Sequence, residues 1–124
     1  MYNRFALGID GGASKVLTQL FTINKNNEII DQSEPFEQSY KDVDTFNHQF
    51  IPVPLNTQNE EMNNENYKIG FNEKGQSKVI IKAIIESIKY FNNKNISFIG
   101  FCFPGLKTEN LDGISVMANG PRNL

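Results

Sequence analysis

A first strand predicted over residues 3–9, apolar from Phe5 on, gives way to small and polar residues, and a second run, Lys15–Ile23, then alternates with the two-residue period of a strand. Val16, Thr18, Leu20 and Thr22 fall on one face of this second run, and Leu17, Gln19, Phe21 and Ile23 on the other. Both faces carry apolar side chains, which predicts a sheet covered on at least part of each side. Asn24, Lys25, Asn26 and Asn27 form a turn in which asparagine tolerates left-handed backbone angles. Residues 28–33 return as a third strand, so the chain opens with three antiparallel strands.

The pattern weakens between residues 34 and 75. Pro35, Pro52 and Pro54 interrupt ladders and helices. Residues 56–66 are polar, acidic and nearly without apolar anchors, which predicts a solvated loop. Phe36, Tyr40, Phe46 and Phe50, with Ile51 and Val53, suit a cap on the sheet, a short hairpin or helix, or a lid over a substrate. His48 reads as a surface or satisfied histidine, since no acid partner is fixed by its spacing.

Order returns over residues 77–91. Ile80, Ile84, Ile88 and Phe91 recur at helical spacing, broadened by Ile81 and Ile85, while Lys78, Lys82, Glu86 and Lys89 mark the opposite side. Gly75 ahead of this amphipathic helix and Asn92, Asn93 and Asn95 behind it are suitable boundaries. Residues 96–103 follow as a mostly apolar strand, which the intervening helix makes a crossover strand parallel to the first. Cys102 within it reads as a buried filler. Pro104 and Gly105 end that strand, Asp112 and Gly113 make a hairpin turn, residues 114–118 form another short strand, and Asn119 and Gly120 sit at a further tight turn.

A length of 124 residues predicts one domain spanning the chain, with an insertion-like polar loop at about 34–75. The formal charge of -2 gives no basic footprint for a phosphate backbone, which argues against nucleic acid as a partner. One cysteine and one histidine exclude an intramolecular disulfide and a Cys/His zinc set, and point to a reducing, cytoplasmic setting. No apolar run reaches membrane-spanning length, and the first residues lack the apolar region of a signal peptide.

The chemistry concentrates between the first two strands. Gly11, Gly12 and Ala13 lack bulk, so the backbone there is free to take positive φ, approach a ligand closely and present successive N–H groups as an anion-binding nest. Asp10 supplies a hard oxygen suited to Mg²⁺, and Ser14 and Lys15 add a hydroxyl and a positive charge. The plainer alternative is a β-hairpin whose glycines serve only the bend, which would need neither the acid nor the hydroxyl and lysine. Gly105 stands at the carboxyl end of a strand, where ligands of open α/β sheets gather, and the Asn119 amide both donates and accepts hydrogen bonds.

The string Leu7-Gly8-Ile9-Asp10-Gly11-Gly12-Ala13-Ser14-Lys15 resembles the first phosphate motif of the actin-like ATPase superfamily. It is closest to the bacterial sugar-kinase branches, which typically carry glycine and threonine where Ala13 and Ser14 stand. Phe103-Pro104-Gly105, Asp112-Gly113 and Asn119-Gly120-Pro121 follow in the order and approximate spacing of the N-terminal lobe of ROK-type sugar kinases. The consecutive glycines after Asp10 look more like the related N-acetylglucosamine kinase and BadF/BadG ATPase branch.

The resemblance implies an α/β lobe of the ribonuclease H-like type, with three antiparallel strands, a crossover helix and further strands in one mixed sheet. It implies ATP and Mg²⁺ as cofactors, with Asp10 at the metal, Gly11, Gly12, Ala13, Ser14 and Lys15 at the phosphates, and Gly105 and Asn119 at a sugar. The implied activity is ATP-dependent phosphorylation of a sugar or amino-sugar hydroxyl, and the full-length form admits a homodimer. The family's base aspartate, second phosphate loop and adenosine pocket have no counterpart here. The expectation is therefore a truncated N-terminal lobe, inactive alone. Two alternatives use the same fold: a non-catalytic sugar-binding regulator or degenerate lobe, and a BadF-type ATPase.

Overall fold

In the computed structural model, which describes residues 2–46 and 48–124, the opening strands form as the alternation predicts. They are β1 (Arg4–Gly11), β2 (Lys15–Ile23) and β3 (Ile29–Gln32). β1 and β2 pair antiparallel with Ile9 opposite Thr18 and Gly11 opposite Val16. β3 takes one half of the far edge of β2, and β4 (Phe36–Ser39) takes the other, with Lys15 opposite Ser39. Ser33 joins the halves: its amide donates to the Leu20 carbonyl at 2.9 Å and its hydroxyl accepts from the Leu20 amide at 3.0 Å. Pro35 falls in the interruption, on an edge where a missing donor costs no ladder bond.

Helix α2 (Phe71–Tyr90) then crosses to β5 (Ile96–Cys102), which runs parallel to β1 with Phe101 beside Ile9. The result is an α/β fold with a mixed five-stranded sheet in the order β3-β2-β1-β5, β4 also pairing with β2, and two helices among the described residues. No helix of the described residues is long and apolar enough to cross a membrane.

Directly opposed residues share a face, so Leu7, Ile9, Val16 and Thr18 lie on one face, all buried, and Ile9 and Val16 pack with Val79, Ile80 and Ala83 of α2. Tyr40 and Val43 close one end of this core. The buried stripe of α2 runs through Glu73, Gln76, Val79, Ile80, Ala83 and Ser87, whereas Ile81 and Ile85 are exposed. The rest of the expected apolar face holds, with Ile80 and Phe91 buried and Ile84 and Ile88 packed against the core. Ala83 and Ser87 let the helix approach the sheet, and the Ser87 hydroxyl donates to the Ala83 carbonyl at 2.9 Å instead of standing unbonded.

Several expectations need correction. The second sheet face is not covered: Gly8, Asp10, Leu17, Gln19 and Phe21 border an open hollow of about 440 Å³. Cys102 lies on that face of an edge strand and is exposed, not a buried filler. Residues 56–66 are not all loop, because Leu55–Met62 forms helix α1. Finally, α2 begins before residue 77 and contains Gly75, with Gly70 as its N-cap and the Lys74 amide donating to the Gly70 carbonyl at 3.1 Å.

Two short strands, β6 (Leu106–Lys107) and β7 (Ile114–Val116), form a hairpin that is a separate two-stranded sheet and does not join the one mixed sheet expected. Its turn is wider than the pair Asp112 and Gly113: the Thr108 amide donates to the Gly113 carbonyl at 3.0 Å, and Leu111 takes a left-handed φ of 58°. Buried polar side chains tie the segment after β7 to the helices. The Gln58 amide nitrogen donates to the carbonyls of Val53 and Met117, both at 2.8 Å, and its oxygen accepts from the Met117 amide at 3.1 Å. Arg122 donates from Nε to Glu73 Oε1 at 2.8 Å.

Candidate functional site

The turn after β1 is tight. The Gly12 amide donates to the Lys15 carbonyl at 2.9 Å, and Tyr40 holds the turn twice: its hydroxyl donates to the Gly12 carbonyl at 2.8 Å and its amide to the Ser14 carbonyl at 2.9 Å. Gly11 serves room, not handedness. Gly105 is the only glycine with positive φ among the described residues, so the expected nest of alternating backbone hands is absent. A Cβ on Gly11 would lie 2.0 Å from Cε1 of Phe103, so the ring occupies the space that glycine leaves.

Tyr40 is almost fully buried, and burial pushes its phenol up to about 12. An unfolded tyrosine ionises near pH 10. The folded value is raised, so the stabilisation is fully present below about pH 10 and is lost as pH rises through about 12. We expect a loss of about 2–3 kcal/mol over that window. Chemical denaturation at stepped pH, beside a phenolate absorbance titration, measures it; a Tyr40→Phe variant that retains the same alkaline loss would reject Tyr40 as its source.

Ala13 and Ser14 are exposed and stand at the mouth of a cavity of about 370 Å³. Its walls come from Tyr40 and Lys41 of the helical turn Tyr40–Asp42, from Phe46, His48 and Phe50 in the segment before α1, and from Gln76 on α2. His48 is exposed, with its ring edge-on to Phe46 at 4.7 Å. Asn119 completes the lining; its left-handed φ of 58° turns the chain between Met117 and Arg122, the two points fixed by Gln58 and Glu73.

The structure brings Ser14 and Asn119 to one cavity, but it does not gather every residue singled out by sequence. Gly105 lines none of it. Its φ of 105° and a would-be Cβ 2.4 Å from the Val116 carbonyl oxygen make it a packing glycine against β7. Lys15 pairs with Glu37 on β4 at 3.1 Å. Asp10 is exposed and borders the hollow on the uncovered sheet face, beside Leu17 and Cys102, so it and Ser14 open onto different depressions around one turn. Among the described residues no group of three or more His, Cys, Asp or Glu side chains could hold a metal ion. Asp10 therefore offers one carboxylate, enough for an ion whose remaining ligands are water and phosphate oxygens and too little for an all-protein cage.

Gln76 was missed in the sequence, although a polar residue in helical phase with Val79, Ile80 and Ala83 was the available signal. A third depression, about 430 Å³, lies between α2 and the hairpin and is lined by Ile84, Phe101, Phe103, Leu111, Ile114 and Leu124 among others. Lys107 and Asp112 also line it. Comparison of the chain with protein-family models, curated proteins and solved structures returned no match.

Proposed function

We propose that this chain is the phosphate- and sugar-binding lobe of an ATP-dependent kinase built on the ribonuclease H-like fold of actin-like ATPases, acting on a sugar or amino-sugar hydroxyl. The observation that carries the reading is the position of the glycine turn. It ends the first of three antiparallel strands, adjoins the carboxyl end of the parallel strand β5, and shares a cavity with Asn119. Ligands of open α/β sheets collect at such strand ends.

In this reading Asp10 would face Mg²⁺ through water, and the ion when bound would neutralise phosphate charge. The Ser14 hydroxyl and the exposed end of the turn would meet phosphate oxygens, while Asn119 would hold sugar hydroxyls by donating and accepting. Phosphoryl transfer depends mainly on positioning and charge neutralisation, so losing Asp10 should act on rate and not on folding.

In the full-length protein, Asp10→Ala is expected to lower sugar-dependent ADP release from ATP by at least about a hundredfold. The melting temperature should hold, because Asp10 is exposed. Unchanged turnover would remove Asp10 from the mechanism, and absence of ADP release across a panel of hexoses and N-acetylhexosamines would reject the kinase reading.

A second reading, a non-catalytic sugar-binding lobe, is favoured by one feature. Two candidate phosphate donors are already engaged, the Gly12 amide by the Lys15 carbonyl and the Lys15 ammonium by Glu37. Sugar binding without nucleotide turnover would select it.

A further inference from the structure

Gln76 is 4% exposed, and its amide oxygen is buried without a hydrogen-bond partner among the described residues. An amide oxygen left in that state carries its full desolvation penalty, and folded proteins hold few of them. Packing does not call for it, since a leucine at this phase of α2 would fill the same space without the penalty. Gln58 shows what a structural buried glutamine looks like in this chain: both its amide atoms are bonded to backbone. The Thr18 hydroxyl is also buried and unbonded, but Thr18 does not line the cavity. Gln76 does, sharing the lining with Ser14, Asn119 and the aromatic residues Phe46 and Phe50.

We infer that Gln76 is a specificity-determining residue of the sugar site, where its amide oxygen takes an O–H or N–H donor from a ring substituent while Phe46 and Phe50 pack on the apolar face of the ring. The inference rests on the reading of this cavity as the sugar site. The terminal torsion of glutamine is soft and roughly two-fold, so the amide can turn its oxygen to the ligand without moving α2. A few polar groups set in a mainly apolar pocket fix a ligand's orientation. A sugar lacking the matching donor forfeits the bond to the amide oxygen; sites that hydrogen-bond a substrate group reject analogues without it far more strongly than apolar pockets sort by size.

The test titrates the full-length wild type and Gln76→Leu with glucose, N-acetylglucosamine and their single-deoxy analogues, by calorimetry and by the NMR signal of the Gln76 side-chain amide. At least one sugar should shift that signal in the wild type, and Gln76→Leu should bind it about ten- to a hundredfold more weakly. One deoxy analogue should reproduce the loss in the wild type and lose nothing further in Gln76→Leu. Equal affinity of both proteins for a sugar that leaves the amide signal unmoved overturns the inference and leaves the sugar site standing. Failure of the wild type to bind any panel member overturns both. Should Gln76→Leu not fold, the wild-type amide signal decides: movement with sugar upholds the role and a fixed signal rejects it.

Discussion

Arg122→Ala should destabilise the fold by about 3–5 kcal/mol, the cost of leaving one member of a buried ion pair without its partner. Arg122 is 1% exposed and Glu73 6%. The Arg122 Nε donates to both carboxylate oxygens of Glu73, at 2.8 and 3.2 Å, and the Arg122 amide donates to Oε1 at 3.2 Å. The guanidinium lies over the Tyr67 ring at 5.1 Å, and its Nη1 forms an ion pair with Glu61 at 3.0 Å. The hydrogen bond to Glu73 comes first among the effects that hold the Arg122 guanidinium above its ordinary value. Alanine removes the cation and strands Glu73 among buried groups; lysine restores charge but not the planar fork, and should recover only part of the loss.

Equilibrium denaturation measures the effect. A change under about 1 kcal/mol would show the pair to be solvated in practice, as exposed pairs are. Glu61, more open than Glu73, contributes differently. A hydrogen bond from Tyr67, then Arg122, holds its carboxyl below the usual range against opposing desolvation. Its folded value is lowered, so its contribution is present above the ordinary carboxylate range and is lost as pH falls through the folded value.

These contacts explain what the sequence made legible. Alternation is a local property, and Lys15–Ile23 forms β2 over the residues whose period predicts it. The crossover to a parallel β5 was equally accessible, because a helix between two strands leaves little topological choice. Helix α1 was hidden because its buried residue is Gln58 and its apolar ends, Leu55 and Met62, are 44% and 40% exposed, so no apolar stripe exists to be read. The first turns of α2 were hidden likewise, since Glu73 and Gln76 occupy their inward positions.

The candidate site divides in the same way. Small residues after an acid made the turn visible, but its glycines were assigned to backbone handedness when the decisive factor is the Phe103 ring over Gly11. The cavity itself joins Ser14, Gln76 and Asn119, residues from three distant parts of the chain, and no local pattern encodes that meeting. The polar stretch that looked like an insertion supplies the aromatic side chains of the wall and, through Gln58 and Glu61, part of what fixes the Asn119 segment.

Gln58→Leu tests that last connection, and we expect it to cost about 3 kcal/mol or more. Gln58 is fully buried, and its two amide atoms satisfy three backbone groups: the carbonyls of Val53 and Met117 and the amide of Met117. Leucine has similar volume, so little cavity forms; the penalty comes from buried backbone groups left unpaired, each worth about 1–3 kcal/mol before water enters to relieve some of it. The loss should appear in denaturant midpoint and, locally, as faster hydrogen exchange at the Met117 amide, ahead of exchange at the Ile9 amide in the sheet core. Stability within about 0.5 kcal/mol of wild type would place the Met117 segment outside the cooperative unit. Asn119 lies two residues beyond this anchor and three before Arg122, so the same substitution should loosen the far wall of the cavity while the β1–β2 turn, held by Tyr40, keeps its geometry.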